Sequence, residues 1–133
     1  MVILNKNQIN KLVTMNEAIV TMKTAFVQLS KREANIPVRL STDIPGKNAT
    51  SLVMPAYLLD SPYYTVKVVS VNYSNPQKGL PLLHSSVQVF DASKGNIVAT
   101  LDGESITAIR PGNWYTCKKR RKGRCNFWYG CSS

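Results

Sequence analysis

The sequence predicts an α+β fold in which an N-terminal helix packs on a mixed, mostly antiparallel sheet. Three observations carry this. One stretch, Asn16 to Ala34, repeats apolar residues at helical spacing. Everything from Val38 to Leu101 reads as short strands separated by turn signals. The composition then changes abruptly at Pro111, where a tail begins that holds both tryptophans, all three cysteines and the run Lys118-Lys119-Arg120-Arg121-Lys122.

Taken in order, Val2–Leu4 is a short apolar run, read as a strand. Asn16 is placed as the helix cap, with Glu17 in the first turn where the dipole favours an acid. Ile19, Met22, Phe26 and Leu29 then form one apolar stripe that must be buried against a sheet or another helix. The helix is expected to fade by Ala34, ahead of Asn35-Ile36-Pro37. Val38–Leu40 reads as a short strand, and Pro45-Gly46 marks a turn within Asp43–Asn48. Ser51–Met54 is apolar and is expected to end at Pro55. Tyr64–Val71 is the clearest strand, with Thr65, Lys67, Val69 and Val71 on one face and Tyr64, Val66, Val68 and Ser70 on the other. Asn72–Leu80 is a polar loop. Ser85–Phe90 and Asn96–Leu101 flank a turn at Asp91–Gly95 as a hairpin, Asp102-Gly103 turns the chain, and Glu104–Ile109 starts a helix.

The chain has 133 residues, 17 Lys/Arg against 7 Asp/Glu and a formal net charge of +10. That charge resembles a nucleic-acid signal until it is mapped. The tail carries six of the bases and no acid, so the first 110 residues hold eleven bases against seven acids, a net of +4. Such a balance suits a small anionic ligand. No stretch reaches the ~18 apolar residues of a membrane helix, and the body contains no cysteine, so the expected location is the cytoplasm and no membrane partner is expected.

Lys67 stands out because it interrupts a strong strand of valines and tyrosines. A charge there is unfavourable unless it is paired or faces a cavity. It is read either as an edge-strand lysine reaching solvent or as a partly buried lysine that binds a carboxylate or transfers protons with a lowered pKa. Arg39 and Arg110 are each surface residues when taken alone. With Lys67 they make a cationic trio suited to a carboxylate, which the guanidinium fork holds by two parallel hydrogen bonds. His84, the one histidine, reads as a packed or surface residue. The body has no metal-ligand cluster, no Ser/His/Asp context and no glycine-rich phosphate loop.

The ordered series Ser51-Leu52-Val53-Met54-Pro55-Ala56-Tyr57, Val66-Lys67-Val68-Val69, Asn75-Pro76-Gln77-Lys78-Gly79-Leu80-Pro81, Val89-Phe90-Asp91, Leu101-Asp102-Gly103 and Thr107-Ala108-Ile109-Arg110 resembles the N-terminal part of the ornithine cyclodeaminase/mu-crystallin family. This resemblance covers residues 1–110. It implies the N-terminal part of a substrate-binding and dimerisation domain that is separate from a Rossmann domain for NAD or NADP, and a homodimer in the full-length family. It implies redox chemistry on a small amino-acid or imino-acid carboxylate: ornithine to proline, alanine dehydrogenation or ketimine reduction. Carried over by motif, Arg39 and Arg110 hold the substrate carboxylate, Lys67 lies beside it as ligand or proton-transfer group, and Met54 lines the pocket. Leu52 stands where ornithine cyclodeaminases carry a glutamate, which favours a generic imine reductase or amino-acid dehydrogenase. No cofactor is expected to bind residues 1–110 alone, and the chain is expected to be inactive as it stands. The alternative is a non-catalytic, crystallin-like binding or dimer-forming protein.

Residues 111–133 are read as an aberrant basic, Cys- and Trp-containing tail that is expected to be disordered. The expected explanation is a frameshift near Arg110: residues 112–131, back-translated with codons chosen for the purpose and read one base later, spell VIGILAKKEGKEDAIFGMG, an amphipathic helix, a strand and a glycine turn. The rival reading, nucleic-acid or zinc binding by the tail, is disfavoured because C-x7-C-x5-C matches no common zinc spacing.

Overall fold

The computed structural model describes residues 1–109. The expectations placed on Arg110 and on 111–133 fall outside the described residues.

The elements, in chain order, are β1 (Val2–Leu4), α1 (Lys6–Leu12), α2 (Met15–Ser30), β2 (Ala34–Asn35), β3 (Leu40–Ile44), β4 (Ala49–Leu58), β5 (Tyr63–Asn72), a 3-10 turn (Pro76–Lys78), β6 (Leu83–Asp91) and β7 (Ile97–Asp102), followed by a helical segment over 103–109. The strands form one seven-stranded sheet in the order β1-β7-β6-β5-β4-β2, with β3 also on β4. Only the β1–β7 pair is parallel; the other pairings are antiparallel. This is the expected mixed, mostly antiparallel sheet. Its spine is β4, β5 and β6, joined by short connections that favour antiparallel neighbours.

The helices are placed by their caps. Asn5 and Gln8 form a reciprocal capping box on α1, and Thr14 and Glu17 form another on α2. The cap of the long helix is therefore Thr14, not Asn16: its hydroxyl accepts from the Glu17 backbone N–H, and the Glu17 carboxylate accepts from Thr14 N at 3.0 Å. The helix ends at Ser30, earlier than its apolar pattern suggests.

The core is thin. Ile9, Ala18, Ala49, Val69 and Val87 are the buried hydrophobic residues among those described. The expected burial of the α2 stripe is incomplete among the described residues. Ile19 and Met22 are half-buried, whereas Phe26 and Leu29 are 44% and 45% exposed. A helix whose apolar stripe stays open is a docking element without its counterpart in the described residues.

One irregularity at the sheet edge positions a residue of interest. β2 and β3 both lie along the outer side of β4, but in different registers: Asn35 faces Tyr57, and Leu40 faces Val53. Four residues, 36–39, therefore span three, 54–56, which is the two-against-one count of a bulge. Here the edge arches off the sheet, and Val38 is 94% exposed. Pro55 sits in the gap. The β4–β5 ladder runs through it, with Pro55 opposite Val66, so its missing N–H falls where β4 has no neighbour, as a strand proline requires. Two expectations are corrected: β4 continues past Pro55 to Leu58, and the strand placed at Val38–Leu40 begins at Leu40 and runs to Ile44.

Candidate functional site

Lys67 lies in β5, flanked by β4 on one side and β6 on the other. The edge-strand reading of this lysine is thereby overturned. Paired residues of antiparallel strands share a face, so one row crosses the sheet through Met54, Lys67, Val87, Leu101 and Leu4. Apolar side chains surround the stem of a half-buried lysine, an arrangement that covers the methylenes and leaves the ammonium needing partners.

The 103–109 segment supplies one. Lys67 Nζ donates to Thr107 Oγ1 at 2.5 Å, and the same hydroxyl donates to the Gly103 carbonyl at 2.7 Å. Two devices hold this segment on the sheet. Asp102 caps it: its carboxylate accepts from Ser105 N at 3.0 Å and from the Ser105 hydroxyl. Those bonds, the hydroxyl's first, hold the Asp102 carboxyl below its ordinary value against a small opposing effect of burial. Gly103 allows a close approach. A Cβ there would lie 2.5 Å from Ser85 Oγ and 2.7 and 2.8 Å from the Ser85 backbone carbon and oxygen.

Arg39 is exposed in the arch. It precedes the first β3–β4 pair, Leu40 with Val53, in the stretch that arches off the sheet, so no ladder pair fixes it against Met54 or Lys67. Arg110 lies outside the described residues. Met54 adjoins Lys67 directly as its cross-strand partner. His84 is a surface residue, with Nδ1 3.4 Å from the Glu104 carboxylate. Sequence reasoning left Thr107 without a role and read Gly103 only as part of a turn. The one signal for Thr107 was its place in the Thr-Ala-x-Arg run.

Phosphates bind at helix N-termini opened by glycine-rich turns. The N-termini of α1, α2 and the 103–109 segment instead carry side-chain caps, from Asn5, Thr14 with Glu17, and Asp102, and two of those caps bear a carboxylate that repels a phosphate. These three ends do not fit a dinucleotide's phosphates. Among the described residues no three His, Cys, Asp or Glu side chains group as a metal site, and no helix is long and apolar enough to cross a membrane.

Known proteins agree with this architecture. The chain is 30% identical over 112 residues to the Δ1-pyrroline-2-carboxylate reductase of Bacillus cereus, covering 84% of this chain and 34% of that protein. The structure of Thermococcus litoralis Δ1-pyrroline-2-carboxylate reductase in complex with NADH and L-proline superposes with a TM-score of 0.82 at 34% identity, over 93% of this chain and 38% of that one. An archaeal alanine dehydrogenase dimer with bound NAD matches with a TM-score of 0.77 at 25% identity, over 86% and 34% of the two chains. The chain thus spans about a third of the length of the curated relatives it matches. The sequence model of one family matches residues 1–114, and on that match the chain belongs to the ornithine cyclodeaminase/mu-crystallin family.

Proposed function

We propose that this chain supplies the carboxylate-holding half of an NAD(P)-dependent oxidoreductase acting on a small α-amino acid or cyclic imine, with Δ1-pyrroline-2-carboxylate reduction the best-supported member of that class. The observation that carries the reading is a half-buried lysine at the centre of the sheet; Arg39, next to the β3 edge, is proposed as its partner. Together the two cations would take the two oxygens of a carboxylate. The arginine fork fixes its plane and the ammonium supplies a compact charge. Arg110, three residues beyond Thr107, is proposed as the third cation. Met54, the cross-strand neighbour of Lys67, is proposed to contact the substrate, and Lys67 Nζ is the group able to hand a proton to a substrate nitrogen. Leu52 in place of an acid disfavours a second, cationic amine on the substrate.

NAD(P) supplies hydride chemistry in the full-length family. The capped helix ends do not suit its phosphates, and the 133-residue chain by itself is expected to bind the carboxylate without turnover. The apolar stripe left open on α2 is proposed to be covered in a homodimer, as the archaeal relative is dimeric. The tail from 111 is proposed to be an out-of-frame reading; the family match ending at residue 114 supports this. The nucleotide sequence beyond codon 110 tests it, and stop codons throughout the other frame would refute it.

The carboxylate reading is tested by titrating the purified chain with L-proline and with L-prolinamide, which lacks the acid. L-proline is expected to bind and the amide to fail. Lys67→Met, which keeps the apolar stem, is expected to abolish binding while preserving the melting temperature. Equal binding of acid and amide, or undiminished binding by the variant, refutes the reading.

A further inference from the structure

We infer that Thr107 is a positioning residue that fixes both the direction and the charged state of Lys67, and so ties the cationic site to the docking of the 103–109 helix. A hydroxyl has one proton and two acceptor lone pairs. Thr107 spends its proton on the Gly103 carbonyl at 2.7 Å, four residues back, a backbone bond that selects one rotamer of a helical threonine. Its oxygen can then face Lys67 Nζ, 2.5 Å away, only as an acceptor. An acceptor fixed in place favours an ammonium over a neutral amine, because a hydrogen bond to a charged donor is the stronger.

The acceptor is as rigid as the helix that carries it. That helix is pinned at its first turn by the Asp102 cap and by the approach of Gly103 to the Ser85 backbone. Lys67 and Thr107 are 40 residues apart in the chain, so the bond forms only when the helix is seated on the sheet. Seating the helix therefore draws the ammonium to one end of its range and gives its charged form an acceptor.

The inference rests on Lys67 being the functional cation, but its test does not. The full 133-residue chain is labelled at lysine, and the Lys67 Cε and Nζ resonances, assigned by their loss in Lys67→Met, are followed through a pH titration. Thr107→Val, which keeps the shape and removes the acceptor, is expected to lower the Lys67 midpoint by about one pH unit, the size a hydrogen bond to a charged group supports. Thr107→Ser is expected to restore it. Should the valine variant fail to fold, Thr107→Ala gives the same reading. A merely structural role would lower the melting temperature in Val and Ala without moving this midpoint, and an unmoved midpoint overturns the inference even if L-proline binds. A moved midpoint in a chain that binds no L-proline upholds the role of Thr107 and overturns the carboxylate reading instead.

Discussion

Replacing Gly103 by alanine tests whether the helix seat is set by backbone contact or by side chains. The added methyl would meet Ser85 Oγ at 2.5 Å and the Ser85 backbone carbon and oxygen at 2.7 and 2.8 Å. The hydroxyl can swing away, but the carbon and oxygen belong to β6, which is paired on both sides. The helix must then lift. Overpacking of this kind costs about 1–3 kcal/mol, or a fall in melting temperature of about 5–20 °C for a domain of this size. The same lift lengthens the Lys67–Thr107 bond, so affinity for L-proline should fall with stability. The discriminating control is Ser85→Gly. It removes only the 2.5 Å contact, and the double variant should stay close to Gly103→Ala. Chemical denaturation followed by circular dichroism gives the free energies. A single variant within about 0.5 kcal/mol of wild type, the spread of an ordinary surface substitution, would refute the argument. So would full rescue by Ser85→Gly.

Two further outcomes follow from the same geometry. Asp102 titrates below its ordinary value because the Ser105 hydroxyl and then backbone N–H groups favour its charged form. Its contribution is thus present above the unfolded carboxyl range, ~pH 4, and is lost as the pH falls through the lowered value. Asp102→Asn should keep the cap yet flatten the stability profile below about pH 4, and an unchanged slope would refute the assignment. On α2, Val20, Phe26 and Val27 are exposed; changing them together to glutamate should reduce self-association measured by sedimentation, with the melting temperature little altered. A large fall in melting temperature would show that these residues pack within one chain.

The sheet was legible where periodicity is local. Tyr64–Val71 is rich in β-branched and aromatic residues, and the β6–β7 hairpin is announced by the turn at Asp91–Gly95. Helix α1 was not, because seven residues with apolar positions only at Ile9 and Leu12 do not establish a period. Its signal was the capping pair Asn5 and Gln8. The α2 cap was misplaced by two residues for a related reason: Asn16 is a good cap by type, but only Thr14 has an acid three residues on. The α2 stripe was read correctly as apolar. Whether it is buried depends on what packs against it, which no pattern within the helix reports.

The site was legible as residue types and not as a place. Lys67 at the edge and Lys67 at the centre give the same string, because strand order is a long-range property. The same holds for Pro55, whose missing N–H ends a strand only if that side needs pairing. Arg39 shows most sharply what sequence leaves open. Were the β2–β4 register, Asn35 to Tyr57, continued without interruption, Arg39 would fall opposite Val53, on the face away from Lys67. The β3–β4 register, Leu40 to Val53, is shifted from it by one residue, and in a strand a shift of one reverses the face. β3 takes its register from its own hairpin with β4, while the arch over 36–39 absorbs the mismatch beside a proline that needs no partner on that side. The face that Arg39 takes is thus set by the arch, a feature that exists only once the strands have paired.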